Sequence, residues 1–152
     1  MSIYKHLLLA LDFSPESAYI GQRAKQLADQ CGASVVLIHV VEHVPLDLSN
    51  DLILAQPVDI DSELIEDARG KLAELADTLG LAAAEQRVEL GATKNEILRV
   101  AEEAAADLIV VGSHGRHGLA LLMGSTANAV LHGAKCDVLA IRVPTEGVQG
   151  ND

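Results

Sequence analysis

Aromatic residues are nearly absent from this chain. Its 152 residues include no tryptophan, one phenylalanine (Phe13) and two tyrosines (Tyr4 and Tyr19), although 49% of the residues are hydrophobic. Proteins that bind single-stranded nucleic acid stack the bases on aromatic side chains, so the composition disfavours that class. A core of small aliphatic residues is instead typical of helices packed on a buried parallel sheet.

Cysteines and long apolar runs are also scarce. Cys31 and Cys136 are isolated among apolar or small residues, and we interpret them as reduced, partly buried thiols. The apolar run at residues 7–11 is too short to cross a membrane and has no signal-peptide cleavage pattern after it, so we interpret it as a strand. These features predict a cytoplasmic protein with no membrane partner.

Acidic residues are missing from one long segment of an acidic chain. Asp and Glu number 22 against 11 Lys and Arg, which gives a formal net charge of −11. At that density residues 108–136 would hold about four acidic residues, yet they hold none, while Arg116, Lys135, His114, His117 and His132 all lie there. The net charge disfavours nucleic acid as a partner. The segment without anions predicts a small anionic ligand.

The hydrophobic pattern predicts an α/β fold. The length indicates one domain over residues 1–143, followed by a mobile C-terminal tail at 144–152. Predicted strands at 3–11, 34–41, 85–90, 107–111 and 137–142 alternate with helices at about 14–31, 59–80 and 93–105 and from about 125. This alternation predicts a five-stranded parallel sheet with helices on both faces. The sequence alone does not determine the strand order.

Individual residues predict where several of the helices begin and end. Ser14 is expected to cap the first helix and Gly32 to end it. The run from Thr93 to Glu96 matches a capping box at the start of the third helix. The segment from His43 to Pro57 is predicted to be a loop.

A glycine-rich loop follows the fourth predicted strand. Gly112, Gly115, Gly118 and Gly124 precede Ser125 and Thr126, which open a helix. Glycines let backbone N–H groups approach a phosphate, and a helix N-terminus favours an anion. In open parallel sheets ligands bind at the carboxyl ends of the strands, where the strand order reverses.

Three stretches together resemble the universal stress protein family. They are the LDFS end of the first strand, the Ile38-His39-Val40 end of the second, and VVGSHGRHGLALLMGSTANAVL from Val110 onward. The resemblance covers essentially the whole chain. It implies an adenine nucleotide alpha hydrolase-like sheet with strand order 3-2-1-4-5.

In nucleotide-binding members, an aspartate after the first strand contacts the adenosine, a residue ending the second strand lines the adenine pocket, and a loop of pattern G-x2-G-x9-G-S/T holds ribose and phosphates. The site residues that the resemblance implies here are Ala10, Leu11, Asp12, Val40, Gly112, Ser113, Gly115, Arg116, His117, Gly124, Ser125 and Thr126. One departure is that eight residues, not nine, separate Gly115 from Gly124. The outer arm of the loop is therefore shorter, and we expect AMP or ATP, with Mg²⁺ as an optional companion.

The resulting hypothesis is a cytosolic stress-response sensor or regulator that binds AMP or ATP. The loop has no obvious general base nearby and the chain has no Walker loop, so any ATP hydrolysis is expected to be slow. The alternative is a nucleotide-independent dimeric scaffold that acts through protein partners. Receiver domains and dinucleotide-binding dehydrogenases are disfavoured, because the chain lacks their strand-end motifs.

Simpler interpretations of single residues stay open beside this hypothesis. The glycines can be turn residues, and Asp12 can be a strand-end or cap residue. His39 is expected to be a core histidine. The pair His114 and His117 has a spacing that can chelate a metal, but no Cys or carboxylate joins it locally.

The resemblance also implies a homodimer through the fifth strand. That strand is apolar, and it lies at an edge of the sheet in the expected order. An exposed apolar edge tends to pair with another chain. The residues concerned are Val138, Leu139, Ala140 and Ile141.

Overall fold

The computed structural model describes residues 3–42, 60–113 and 124–144, in which strands and helices alternate. The elements are β1 (His6–Ala10), α1 (Ser17–Cys31), β2 (Ser34–Val41), α2 (Ile60–Thr78), β3 (Glu85–Leu90), α3 (Thr93–Glu103), β4 (Leu108–Gly112), α4 (Ser125–Gly133) and β5 (Asp137–Ile141). The predicted α/β alternation is confirmed. The predicted loop at 43–57 and most of the predicted tail lie outside the described residues.

The five strands form one parallel sheet in the order β3-β2-β1-β4-β5. The expected strand order is therefore confirmed. In the register of the sheet, Leu8 of β1 lies beside Val36 of β2 on one side and Ile109 of β4 on the other. β3 and β5 form the two edges.

Helices cover both faces of the sheet because successive strand residues point to opposite sides. Leu7 and Leu9 of β1 pack into a cluster with α1 and α2, whereas Leu8 packs into a second cluster with α3 and α4. The helix residues in the first cluster include Ile20, Ala24, Ala28, Leu72, Ala76 and Leu79, and those in the second are Ile97, Val100, Ala101, Ala127 and Val130.

The start of α1 differs from the sequence prediction. Glu16, not Ser14, is the N-cap residue, and no side-chain hydrogen bond caps the helix. The reason is the backbone before it: Phe13 has a positive φ of 64°, and the carbonyl of Ser14 accepts the N–H of Ser17 in a turn. The first strand is also shorter than predicted. At the other end of α1, Gly32 is the left-handed C-cap that was predicted, with φ 66°.

The predicted capping box at Thr93 does not form. Ala92 is the N-cap of α3, and Thr93 is already the first helical residue. Its hydroxyl instead donates a hydrogen bond to Glu42 Oε2 at the end of β2, 2.5 Å away. Glu96 still lies in the first turn, where a carboxylate interacts favourably with the helix dipole.

Asp107 connects the start of β1 to the start of β4, at the amino ends of the strands. Its carboxylate accepts the backbone N–H of Lys5 at 2.9 Å through Oδ2 and that of His6 at 3.0 Å through Oδ1. Its own N–H donates to the carbonyl of His6. Burial acts to raise the pKa of Asp107, but the backbone hydrogen bonds from Lys5, His6 and Asp107 itself, with the charge of His6, leave the pKa below its ordinary value.

Both cysteines are unbridged and half-buried, in agreement with the interpretation of their sequence context. Burial, followed by the charges of Asp137 and Asp107, raises the pKa of the Cys136 thiol. That thiol therefore shows no activation as a nucleophile. In the described part of the chain, every helix is too short or too polar to cross a membrane.

Candidate functional site

A cavity of about 530 Å³ lies at the carboxyl edge of the sheet, where β1, β2 and β4 end. β1 continues into α1 on one face and β4 continues into α4 on the opposite face. The strand order reverses here, and the diverging connections leave a crevice between them. The volume is in the range of small-molecule sites, roughly 300–1,000 Å³.

The structure brings together the predicted site residues that it describes. All of them line this cavity: Ala10, Leu11, Asp12, Val40, Gly112, Ser113, Gly124, Ser125 and Thr126. Gly115, Arg116 and His117 lie outside the described residues, as do Gly118 and the possible metal ligand His114. The cavity is thus built from positions that are more than 100 residues apart in the chain.

The two ends of the glycine loop are hydrogen-bonded directly to each other. The N–H of Gly124 donates to the carbonyl of Ser113 at 2.6 Å, and the N–H of Ser113 donates to the carbonyl of Ile141 at 2.9 Å. We call the Ser113–Gly124 pair the loop neck. The neck fixes where the loop leaves β4 and where it returns to α4.

The N-terminus of α4 is directed at the cavity. Gly124 is its N-cap in an extended conformation, with φ −61° and ψ 156°, and Ser125 and Thr126 follow in the first turn. The first N–H groups of a helix have no partner inside the helix. No acidic residue lies in this turn and no side-chain hydrogen bond caps it. These amides are therefore suited to an anion.

A buried hydroxyl group adds a polar donor beside this helix end. In the described part of the chain, Ser113 Oγ is buried and has no hydrogen-bond partner, although Ser113 itself lines the cavity. Buried hydroxyl groups are nearly always hydrogen-bonded in folded proteins. The Ser113 hydroxyl is thus a polar group with no partner among the described residues, on a residue that lines the cavity.

Asp12 lies on the opposite side of the cavity, directly after β1. Both hydrogen bonds that it accepts within the described residues go to Oδ1, from the N–H of Ser14 at 2.9 Å and from the hydroxyl of Ser17 at 3.3 Å. The first of these forms an Asx turn. Asp12 therefore shapes the start of α1 with one oxygen, and its exposed carboxylate lines the cavity at the same time.

The same turn contains features that the sequence did not reveal. Phe13 has φ 64°, in a region that bulky side chains rarely adopt, and its ring stacks on His39 with ring centroids 4.0 Å apart. His39 was expected in the core, but it is half-buried and lines the cavity. In the sequence, the one signal for this role of His39 was a polar residue near the end of an otherwise apolar strand.

The part of the cavity wall formed by α2 and by the residues that follow β1 and β2 is acidic. Among the described residues of the cavity the carboxylates are Asp12, Glu16, Glu42 and Asp67, and the one cation is Lys71, which pairs with Asp67 at 3.1 Å. Asp12 and Glu16 lie in the turn between β1 and α1, Glu42 follows β2, and Asp67 and Lys71 lie on α2, whereas β4 and the first turn of α4 contribute no charge. The cavity therefore has a carboxylate-rich side and a side lined by amides and hydroxyl groups. Within residues 3–42, 60–113 and 124–144, no group of three His, Cys, Asp or Glu residues is placed to hold a metal ion.

Known proteins are similar to this chain in sequence and in fold. The model of the universal stress protein family matches residues 3–142. Universal stress protein A homolog 2 of Coxiella burnetii is 44% identical over 144 residues, which cover 94% of this chain and 98% of the relative.

Solved structures of the same type carry adenine nucleotides. A universal stress protein in complex with cAMP is 25% identical with a TM-score of 0.65, and the match covers 92% of this chain and 98% of that one. The universal stress protein from Archaeoglobus fulgidus in complex with dAMP is 22% identical with a TM-score of 0.62, over 91% and 98% of the two chains. From its sequence and from the strand order of its sheet, the chain belongs to the universal stress protein family.

Proposed function

We propose that this protein binds an adenine nucleotide, AMP or ATP, in the cavity at the carboxyl edge of its sheet and acts as a cytosolic stress-response sensor or regulator. The observation that carries the proposal is the division of this cavity into two chemically different sides. A nucleotide has the matching division, with anionic phosphates at one end and a neutral nucleoside at the other.

The phosphates are assigned to the side formed by the loop neck and α4. That side offers the first-turn amides of α4 and the Ser113 hydroxyl, without a carboxylate to repel an anion. Gly115, Arg116 and His117 would extend the same side if they follow the family pattern. We expect the shorter loop to hold the terminal phosphate of ATP less well than the nearer phosphates, so AMP is included in the proposal.

The nucleoside is assigned to the side formed by the ends of β1 and β2. Asp12 can accept hydrogen bonds from ribose hydroxyl groups or from the adenine amino group, and Val40 offers an apolar surface to the base. The carboxylates on this side disfavour the reverse orientation, in which phosphates would face Asp12 and Glu42. The cAMP and dAMP complexes of the two solved relatives support an adenine nucleotide as the ligand class.

A binding role is favoured over fast catalysis. The described lining of the cavity holds no group of acidic or histidine side chains arranged for a metal ion of its own. The chain also has no Walker loop to supply a phosphate-binding lysine and a hydroxyl group for Mg²⁺, so we expect any ATP hydrolysis to be slow.

Calorimetric titration with AMP, ADP and ATP, each with and without Mg²⁺, tests the proposal. We expect saturable binding of at least one of them, and no binding of UMP as the matched control. Absence of binding at millimolar adenine nucleotide, together with no nucleotide in the purified protein, would contradict the proposal and favour the nucleotide-independent scaffold.

A glycine variant tests the assignment of the phosphate side. Gly124→Val introduces a branched side chain at the loop neck, and we expect it to lose nucleotide while the fold is retained. Gly70→Val is the matched control, because a Cβ at Gly70 meets no atom within 4 Å and Gly70 does not line the cavity. Equal affinity of the two variants would contradict the assignment.

The proposal includes a homodimer through β5. This strand is an edge of the sheet, and Leu139 is 37% exposed on it. An edge strand with an apolar side chain exposed can pair with the same strand of a second copy. Sedimentation at micromolar protein should give twice the monomer mass, and Leu139→Lys should return the mass to that of a monomer.

A further inference from the structure

His39 contacts the turn after β1 on both sides of Asp12. Its Nδ1 lies 2.7 Å from the carbonyl oxygen of Leu11, the residue before Asp12. Its ring stacks on Phe13, the residue after Asp12, with centroids 4.0 Å apart and planes 20° apart. The imidazole of His39, on β2, therefore contacts the backbone of the residue before Asp12 and the side chain of the residue after it.

The turn needs such support because its backbone is unusual. Phe13 has φ 64°, a left-handed conformation in which a bulky residue is strained. Residues in such conformations persist only where the surrounding contacts determine them. Within the described residues the Phe13 ring stacks on the His39 ring, lies with its centroid 6.0 Å from Lys71 Nζ, and packs against the apolar cluster that contains Leu7 and Leu9.

The conformation of this turn sets the direction of the Asp12 carboxylate. The N–H of Ser14 reaches Asp12 Oδ1 across Phe13, so the left-handed conformation of Phe13 and the Asx turn depend on each other. Ser17, which is 3% exposed, holds the same oxygen from α1. With Oδ1 held in this way, the orientation of the second oxygen is determined too.

We propose that His39 is a positioning residue of the nucleotide site, which acts on the ligand through Asp12. The inference rests on the proposed function, because Asp12 is the group assigned to the nucleoside. A carbonyl oxygen can only accept, so Nδ1 of His39 carries a hydrogen and donates it to Leu11. The ring plane, fixed by this bond, is then the surface on which Phe13 stacks.

A double-mutant cycle tests the coupling of His39 and Asp12. The variants are His39→Phe, which keeps a ring but loses the donor to Leu11, Asp12→Asn, and the two combined. AMP affinity is measured by calorimetry. We expect His39→Phe to weaken AMP binding about tenfold in the otherwise unchanged chain, the effect of roughly one hydrogen bond. In the Asp12→Asn background we expect it to weaken AMP binding less than about twofold, because contacting sites are not additive.

Two further variants separate positioning from loss of fold. His39→Asn keeps an N–H near the position of Nδ1, so we expect it to recover part of the affinity that His39→Phe loses. It also serves in the cycle if His39→Phe does not fold. Leu37→Val is the matched control, since Leu37 is fully buried in the same strand and does not line the cavity. It should lower the melting temperature and leave AMP affinity unchanged.

Each outcome bears on the inference. Unchanged AMP affinity in His39→Phe, or an equal loss with and without the Asp12 carboxylate, overturns it while the proposed function stands. A starting chain that binds neither AMP nor ATP overturns the proposed function and the inference with it; if the chain binds ATP alone, the cycle is measured with ATP. Loss of the His39 effect in the Asp12→Asn background, with rescue by His39→Asn, supports it.

Discussion

Two aspartates, Asp107 and Asp12, lie at opposite edges of the sheet and use their oxygens differently. Asp107, at the amino edge, receives backbone N–H groups on both oxygens. Asp12, at the carboxyl edge, receives its two hydrogen bonds on Oδ1 alone within the described chain. The first carboxylate is used for structure, whereas the second retains an oxygen for another partner. The amino ends of the strands thus carry an aspartate that stabilises the fold, whereas the carboxyl ends carry an aspartate with an oxygen left for a ligand.

The largest effect is expected on stability, when the carboxylate of Asp107 is removed. Asp107→Ala removes the acceptor of the Lys5 and His6 N–H groups, and we expect the free energy of unfolding to fall by about 2 kcal/mol. Urea denaturation measures the fall. AMP affinity should not change, because the site lies at the other edge; a loss of affinity as large as that in Asp12→Asn would remove the distinction between the edges.

The converse effect is expected at Asp12. Asp12→Asn keeps a carbonyl oxygen for Ser14 and Ser17 but replaces the second oxygen by an amide group. We expect AMP affinity to fall about tenfold, or about 1.4 kcal/mol. The urea midpoint should stay the same, and a midpoint lowered as far as in Asp107→Ala would mean that Asp12 is mainly structural.

The pH dependence of stability sharpens the comparison further. Although burial acts to raise it, the pKa of Asp107 is lowered in the folded protein by the backbone hydrogen bonds from Lys5, His6 and Asp107 itself, with the charge of His6. Its contribution is complete above the unfolded-state pKa, near 3.9, and is lost as the pH falls through the lower folded-state value. We expect part of the acid-induced loss of stability below pH 4 to be absent in Asp107→Asn, which has no carboxylate to protonate. Urea midpoints measured across this range in both proteins give the difference.

The smallest expected effect concerns Tyr4, also at the amino edge. Its hydroxyl donates to Asp137 Oδ2 at 2.7 Å, and this hydrogen bond, with burial and the charge of Asp137, raises the pKa of Tyr4. Asp137→Asn should therefore let Tyr4 ionise at a lower pH. The absorbance of tyrosinate reports this in a Tyr19→Phe background, where Tyr4 is the remaining tyrosine. An unchanged titration would show that the Tyr4–Asp137 bond does not persist in solution.

The fold was largely predictable because its signals are repetitive. Alternating apolar strands and amphipathic helices each carry many residues of evidence, so the nine elements and the parallel sheet followed from the pattern. Helix starts depend on single contacts instead. The Thr93 hydroxyl bonds to Glu42 of another element rather than to its own helix, and no local pattern contains that information.

The site was predictable where it follows a strand end or the glycine loop, and not elsewhere. Asp12, Val40 and Gly112 each end a strand, so a parallel sheet brings them to one edge. Phe13 was missed because its left-handed backbone is contrary to its propensity. Lys71 was missed because the register of α2 against β1 is a tertiary property.

The loop neck has a consequence for how this protein can change. The hydrogen bond between Gly124 and Ser113 closes the segment at its base. Removing one residue from a closed loop of this length alters the closure entropy by only about 0.1 kcal/mol. Closure entropy therefore opposes a change of length between these anchors only weakly. A neck of this kind lets the sequence between its anchors change in length at little entropic cost to the scaffold.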